Sequence, residues 1–172
     1  MITKNQIKLI RSLRLKKNRI KHNLFVAEGE KIVDELLESK FKLSYLFSTE
    51  NKYYSIKNHV SLKNQELKQI SSLKTPNKVL AVFEIPQENH IDYSQNIIAL
   101  EEINDPGNLG TIIRLCDWFG IKDIICSENS VDCFNPKTIQ ASMGSICRVN
   151  ISYISFKNLI SNKKNNLIAA DT

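Results

Sequence analysis

Apolar residues fall along this chain in short runs separated by polar, turn-rich stretches, and the runs switch between two periodicities. Ile7, Ile10, Leu13 and Leu15 form a helical stripe over residues 3–21, with Thr3 as its N-cap. Leu24-Phe25-Val26-Ala27 reads as a short buried strand, Glu28-Gly29-Glu30 as a turn, and Lys31–Ser39 as a helix facing Ile32, Val33, Leu36 and Leu37 inward. Tyr45–Ser48 gives a second strand, Val60 and its neighbours a third, and Gln65–Leu73 another helix. Lys78–Ile85, rich in β-branched residues, is the clearest strand of this half. The alternation predicts a small α/β sandwich over residues 1–86.

A polar stretch that opens on Pro86 follows, and residues 87–96 read as a linker. From Ile97 the pattern is more regular. Ile97–Leu100 is a buried strand, and Asp105-Pro106-Gly107-Asn108 is a turn-forming cluster. Leu109, Ile112, Ile113, Leu115 and Phe119 then lie close to helical spacing, with Asn108 near the N-cap and Gly120 just past the C-terminus. Asp123–Ser127 is the next strand. Residues 134–151 read as a helix with Asn135 near its cap and Pro136 at its first position, running into a strand over Cys147–Ile154. Phe156–Ser161 is a short helix and Leu167–Ala170 a further strand. Repeated strand–helix units with short connections predict a parallel, doubly wound sheet over residues 97–172. The Asp105–Asn108 turn then sits at the carboxyl end of a strand, where open α/β sheets place their ligands.

Composition sharpens this picture. A hydrophobic share of 42% with 24% charged residues suits a folded globular protein. No apolar run approaches the ~20 residues that span a bilayer, and no apolar core follows the basic N-terminus, so a cytoplasmic protein without membrane attachment is expected. The 4 cysteines include no CxxC pair, which argues against a zinc or redox motif. Free thiols are expected in preference to two disulfides. There is no GxxxxGK[ST] or GxGxxG, and His22, His59 and His90 show neither metal spacing nor a triad pattern, so no metal site is expected.

The net charge of +6 is unevenly placed: residues 1–90 hold 17 Lys/Arg against 9 Asp/Glu, and the remainder 7 against 9. Lys4, Lys8, Arg11, Arg14, Lys16, Lys17, Arg19 and Lys21 all precede the first acid, Glu28. A solvated helix face is one reading. A phosphate-binding surface is the other, favoured because no acid at i±4 relieves the mutual repulsion. Tyr53 and Tyr54 suit either base stacking or core packing. Arg114, between Ile113 and Leu115, cannot shed its charge and needs a partner. A salt bridge to Asp117 or Glu101 would make it structural.

Two stretches carry a resemblance. Asn104-Asp-Pro-Gly-Asn-Leu-Gly-Thr-Ile-Ile-Arg114, ending in Trp118-Phe-Gly120, is similar to the first signature motif of the SpoU/TrmH family of RNA ribose 2′-O-methyltransferases. Asn135-Pro-Lys137, Ala141-Ser-Met-Gly144 and Arg148-Val149 resemble the second motif, with Gln140 where the family often has Arg. Phe25, Glu28, Gly29 and the Lys16–Arg19 run resemble the N-terminal substrate-binding domain of many such proteins, which is similar to a ribosomal-protein fold. The resemblance implies an α/β architecture: a ribosomal-protein-like RNA-binding domain followed by the first part of a parallel-sheet SPOUT methyltransferase domain. It implies methyl transfer from S-adenosylmethionine to a ribose 2′-hydroxyl of ribosomal or transfer RNA, with Asn108 and Arg114 at the reacting centre. The eight N-terminal cations, Lys137, Ser142 and Arg148 are implied at the RNA, and a homodimer is implied for the complete enzyme. The third motif, which builds the knot and most of the cofactor pocket, has no counterpart. The chain stops at Ala170-Asp171-Thr172, with Thr172 the one candidate cofactor contact. A truncated piece that binds the cofactor poorly is therefore expected, and an RNA-binding module without catalysis is the alternative.

Overall fold

The computed structural model describes residues 2–87 and 90–161. Thr3 caps the first helix, α1 (Lys4–Ser12), through a reciprocal pair: its hydroxyl accepts from the Gln6 N–H, and the Gln6 carboxamide oxygen accepts from the Thr3 N–H. The single helix expected over residues 3–21 is broken. Leu15 is extended and exposed, and a second helix, α2 (Lys16–His22), starts after it. The Asn18 amide donates to the Ser12 carbonyl at 2.9 Å and closes the bend. The bend buries Leu13 and turns Arg19 inward, which a continuous helix would not do.

Strand β1 (Leu24–Glu28), helix α3 (Glu30–Leu37), strands β2 (Leu43–Ser48) and β3 (His59–Ser61), helix α4 (Asn64–Ile70) and strand β4 (Val79–Glu84) complete the first unit. The sheet runs β1-β4-β2-β3, with β4 antiparallel to both β1 and β2, and β3 parallel to β2. Alternation along β4 explains both cores. Leu80 and Val82 face Ile10, Leu13, Leu67 and Ile70, while Val79, Ala81 and Phe83 face Phe25, Val33 and Leu36.

That second face does not end at the first unit. Its cluster continues into Ile124 of a parallel sheet, β5 (Ile97–Leu100), β6 (Asp123–Cys126) and β7 (Asn150–Tyr153) in the order β5-β6-β7, and into Leu109, Ile113 and Ile139 of the helices packed on it. Phe134 joins the two halves: its ring lies 4.8 Å from that of Phe25 and 6.4 Å from that of Phe41. Helices α5 (Pro106–Trp118), α6 (Pro136–Ser142) and α7 (Phe156–Ser161) are the other described elements of the second unit.

Three details of this half differ from the expectation or fall outside it. The cap of α5 is Asp105, not Asn108: the Asp105 carboxylate accepts from the Asn108 N–H at 2.8 Å, and Pro106, which has no N–H to leave orphaned, takes the first position. The helix expected over residues 134–151 stops at Ser142, followed by Met143 and Gly144 at positive φ and a short 3₁₀ turn over Ser145–Cys147. Gly144 abuts α3 so closely that an added Cβ would sit 3.0 Å from the Glu35 side chain, so the turn also packs against the other unit. The strand expected at Leu167–Ala170 lies outside the described residues. The four thiols are free, and no described helix is long and apolar enough to cross a membrane.

Helices α5 and α6 meet at Gly110, where a Cβ would lie 2.5 Å from the Ala141 Cβ and 2.7 Å from the Thr138 carbonyl oxygen. Gly110→Ala is expected to force the helices apart and lower stability by about 1–3 kcal/mol, read as a lower denaturant midpoint. An unchanged midpoint would contradict this packing.

Candidate functional site

Strand β5 delivers the chain into the turn ahead of α5, and the Asp105 cap fixes the first turn of that helix. Leu109, Gly110, Ile113 and Cys116 face the core. The opposite side presents Asn108, Thr111, Arg114, Leu115 and Trp118 to solvent. The Thr111 hydroxyl donates to the Gly107 carbonyl at 2.9 Å, so it is bound within the helix. Asn108 and Arg114 are both exposed. Six residues separate them, about 9 Å along the axis and roughly 120° around it, so they do not touch and would approach a substrate from different directions.

Arg114 makes no ion pair or hydrogen bond among the described residues, and the structural alternative for it falls away. Asp117 is held by another cation, and Glu101 is exposed without pairing to Arg114. The remaining arginines are engaged. Arg11 donates to the Gln69 carbonyl and Arg14 to that of Ser71. Arg19 pairs with Asp132, and Arg148 pairs with Asp117 and Glu35. Arg114 is the one arginine without a protein partner among the described residues. It stands beside exposed Leu115, Trp118 and Phe119, the last two 85% and 73% accessible. Apolar surface of this kind on a folded chain marks a contact region.

The residues expected at RNA divide into two groups. Lys4, Lys8, Lys16, Lys17, Lys21 and Lys137 are exposed and free of carboxylate partners among the described residues. Arg19 does not belong with them. It is 2% exposed, donates from Nε and Nη2 to Asp132 at 2.8 and 2.6 Å, and gives Nη1 to the carbonyls of Leu13 and Arg14. Ser142 is also withdrawn: it is fully buried and its hydroxyl donates to the Ile139 carbonyl. Arg148 remains partly exposed, but its guanidinium is shared between Asp117 of α5 and Glu35 of α3. Tyr53 packs rather than stacks. It is buried, with its hydroxyl donating to Asp34 at 2.8 Å, whereas Tyr54 stays exposed beside His59. Thr172 lies outside the described residues.

Sequence reasoning missed the acids that take up these cations. Asp132 lies 113 residues from Arg19, and Glu35 equally far from Arg148, so no local spacing points to either. For Asp117, burial works to raise the carboxyl, but the Arg148 guanidinium, the Ser145 hydroxyl and the charges of Arg148 and Lys122 outweigh it. The carboxyl is held below the ordinary carboxylate range. The Arg148 guanidinium, bound by Asp117 and then Glu35, is held more firmly protonated than usual.

A depressed carboxylate contributes stability above its unfolded pKa and loses it as pH falls through its folded pKa. Asp117→Asn is therefore expected to lower the unfolding midpoint at pH 7, with the gap from the unaltered chain closing as pH drops below about 4. A gap that stays constant down to pH 3 would remove the Asp117–Arg148 pair as its cause.

Comparison with known proteins places these features in a group. Residues 95–172 match the model of the SpoU rRNA Methylase family, and residues 4–81 match that of the MRM3-like substrate binding domain. The chain is 31% identical over 148 residues to the 23S rRNA (guanosine(2553)-2′-O)-methyltransferase RlmP of Bacillus subtilis, covering 83% of this chain and 59% of that protein. A solved structure of a TrmH-family protein from Porphyromonas gingivalis superposes with a TM-score of 0.79 at 36% identity, over 90% of this chain and 63% of that one. The AdoMet-bound rRNA methyltransferase of Sinorhizobium meliloti gives 0.81 at 28% identity, over 94% and 66%. The chain thus spans about 60% of the length of the first two of these relatives.

Proposed function

We propose, from the match of residues 95–172 to the SpoU rRNA Methylase family model, that the chain is part of an enzyme that methylates a ribose 2′-hydroxyl of structured RNA. Ribosomal RNA is the substrate class that the relatives favour, since the Bacillus and Sinorhizobium proteins are named for it. The observation that carries the reading is the solitary Arg114, a permanent cation at the surface of α5 with no protein carboxylate to neutralise it among the described residues. We assign residues 1–86 to RNA binding and residues 97–172 to the methyltransferase portion, joined by 87–96.

S-adenosylmethionine, when bound, supplies an electrophilic methyl on a sulfonium that leaves readily. The residues that would enclose it are not among those placed around Asn108 and Arg114, where the structure offers a cap, a cation and apolar surface. The task left to this chain is to orient the sugar hydroxyl and to favour the charge it develops. Arg114 cannot act as a base, since its guanidinium does not lose a proton. It acts as a fixed positive charge that stabilises the developing alkoxide as the oxygen takes the methyl, the thioether leaves and the hydroxyl proton passes to solvent water. Asn108, in the first turn of α5, offers a neutral amide to the same substrate. The exposed Leu115, Trp118 and Phe119 beside Arg114 support a homodimer of the whole enzyme, with this helix face at the contact.

In a methyl-transfer assay with S-adenosylmethionine and ribosomal RNA, Arg114→Ala is expected to lower turnover by a factor on the order of 10²–10³ while RNA affinity stays within about twofold. Full turnover would defeat the assignment. Replacing Lys4, Lys8 and Lys17 by Gln is expected to flatten the dependence of log K on log salt by about 0.7–0.9 for each phosphate no longer neutralised. An unchanged slope would remove the basic face from the interface.

A further inference from the structure

A cleft of about 480 Å³ lies between the two sheets, and neither Asn108 nor Arg114 lines it. One wall comes from α2 and the segment after α3, with Lys16, Ile20 and Lys40. The other comes from the residue ahead of β6 and from β7, with Lys122, Ile151 and Tyr153. The volume falls within the ~300–1,000 Å³ of ordinary ligand sites.

The charges in this cleft do not cancel. Lys16, Lys40 and Lys122 are exposed and form no ion pair among the described residues, yet they converge from both units. Among the described residues two carboxylates line the cleft: Asp132 is paired with Arg19, and Asp123, 5% exposed, accepts from the neutral Asn150 amide at 2.7 Å and keeps its charge below the surface. Arg148 at the rim is spent on Asp117 and Glu35. Among the described residues, the exposed charged side chains without a carboxylate partner on this lining are the three lysines. The lining also carries apolar side chains. Phe41 and Phe134 reach it from the shared core, and Ile20 leaves 67% of its surface in water beside Lys16. The Lys16 ammonium leans across the cleft, 5.9 Å from the centre of the Tyr153 ring.

A ligand complementary to this arrangement has a planar, weakly polar body and an anion on either side. We propose that the cleft holds one unstacked nucleotide of the RNA substrate, its base against the Phe134–Ile151 surface and its flanking phosphates on Lys40 and Lys122. The proposal rests on the RNA reading above and adds, through Lys40 and Lys122, a grip that adjoins the face of α1 and α2 at Lys16. Each base stacked on such a surface contributes affinity without fixing sequence, and each phosphate neutralised adds to the salt dependence.

The test uses a fluorescein-labelled single-stranded oligoribonucleotide, with guanosine monophosphate as competitor. The K40E/K122E double variant is expected to bind the oligonucleotide at least tenfold more weakly and to lower the salt slope by about 1.4, two phosphates at ~0.7 each. Its unfolding midpoint should stay unchanged, and K40Q/K122Q should give a smaller effect in the same direction. Oligonucleotides carrying a single abasic ribose should bind weakly for one position in the register and normally for the others. If K40E/K122E binds normally while K4E/K8E does not, the cleft is excluded and the RNA reading stands. If neither pair changes binding, the RNA reading fails along with it. Guanosine monophosphate competing at equal molar affinity would make the ligand a free nucleotide and overturn the proposal. A flat response to abasic sites would do the same for the base-holding part.

Discussion

The architecture depends on one buried charge. Arg19 sits 2% exposed at the junction of the two units, and a guanidinium cannot be neutralised by losing its proton. It is tolerated there because Asp132 accepts two of its hydrogen bonds and the Leu13 and Arg14 carbonyls take the rest. Removing one member of such a pair typically costs about 3–5 kcal/mol, since the other is stranded. The pair ties α2 to the segment ahead of α6, and the bend between α1 and α2 is what lets it form. Glu35, Arg148 and Asp117 form a second, more exposed tie that reaches α5 itself. Through these two links the helix carrying Arg114 is held in a fixed relation to the basic N-terminal surface.

Helix α5 shows how one element meets two demands. Its inner face is narrow, and Gly110 lets α6 approach to a distance that no larger residue would permit. Its outer face keeps a free cation amid exposed apolar side chains. An isolated arginine there gains nothing from the described acids of this chain, which lie elsewhere or are already matched. The solitary state of Arg114 is thus a property of the whole charge arrangement rather than of the residues on either side.

Much of the fold was legible in the sequence because its signals are local. The strands at Leu24–Ala27, Ile97–Leu100 and Asp123–Cys126 show as short apolar runs, and the caps at Thr3 and Asn135 depend on neighbours within three residues. The identity of the α5 cap was ambiguous because Asp105 and Asn108 are both good cap formers, and only the geometry around Pro106 decides between them. The end of α6 carried a local signal in Gly144, which takes positive φ just after the cap, but the apolar run continuing to Ile151 masked it. The candidate site was limited by sequence separation instead. Eight N-terminal cations looked alike, but an acid more than a hundred residues away removed Arg19 from the surface. Tyr53, which sequence left open between stacking and packing, is decided by Asp34 on a neighbouring helix.

Phe134 has a consequence for how the molecule comes apart. Its ring fills the space against Phe25 and Phe41, so the hydrophobic interior runs without interruption from one sheet into the other. The shared core therefore holds the two units together independently of chain connectivity, and the entropy of closing a connecting loop grows only slowly with its length. Either sheet expressed without its neighbour would display an aromatic face with nothing to shield it from water.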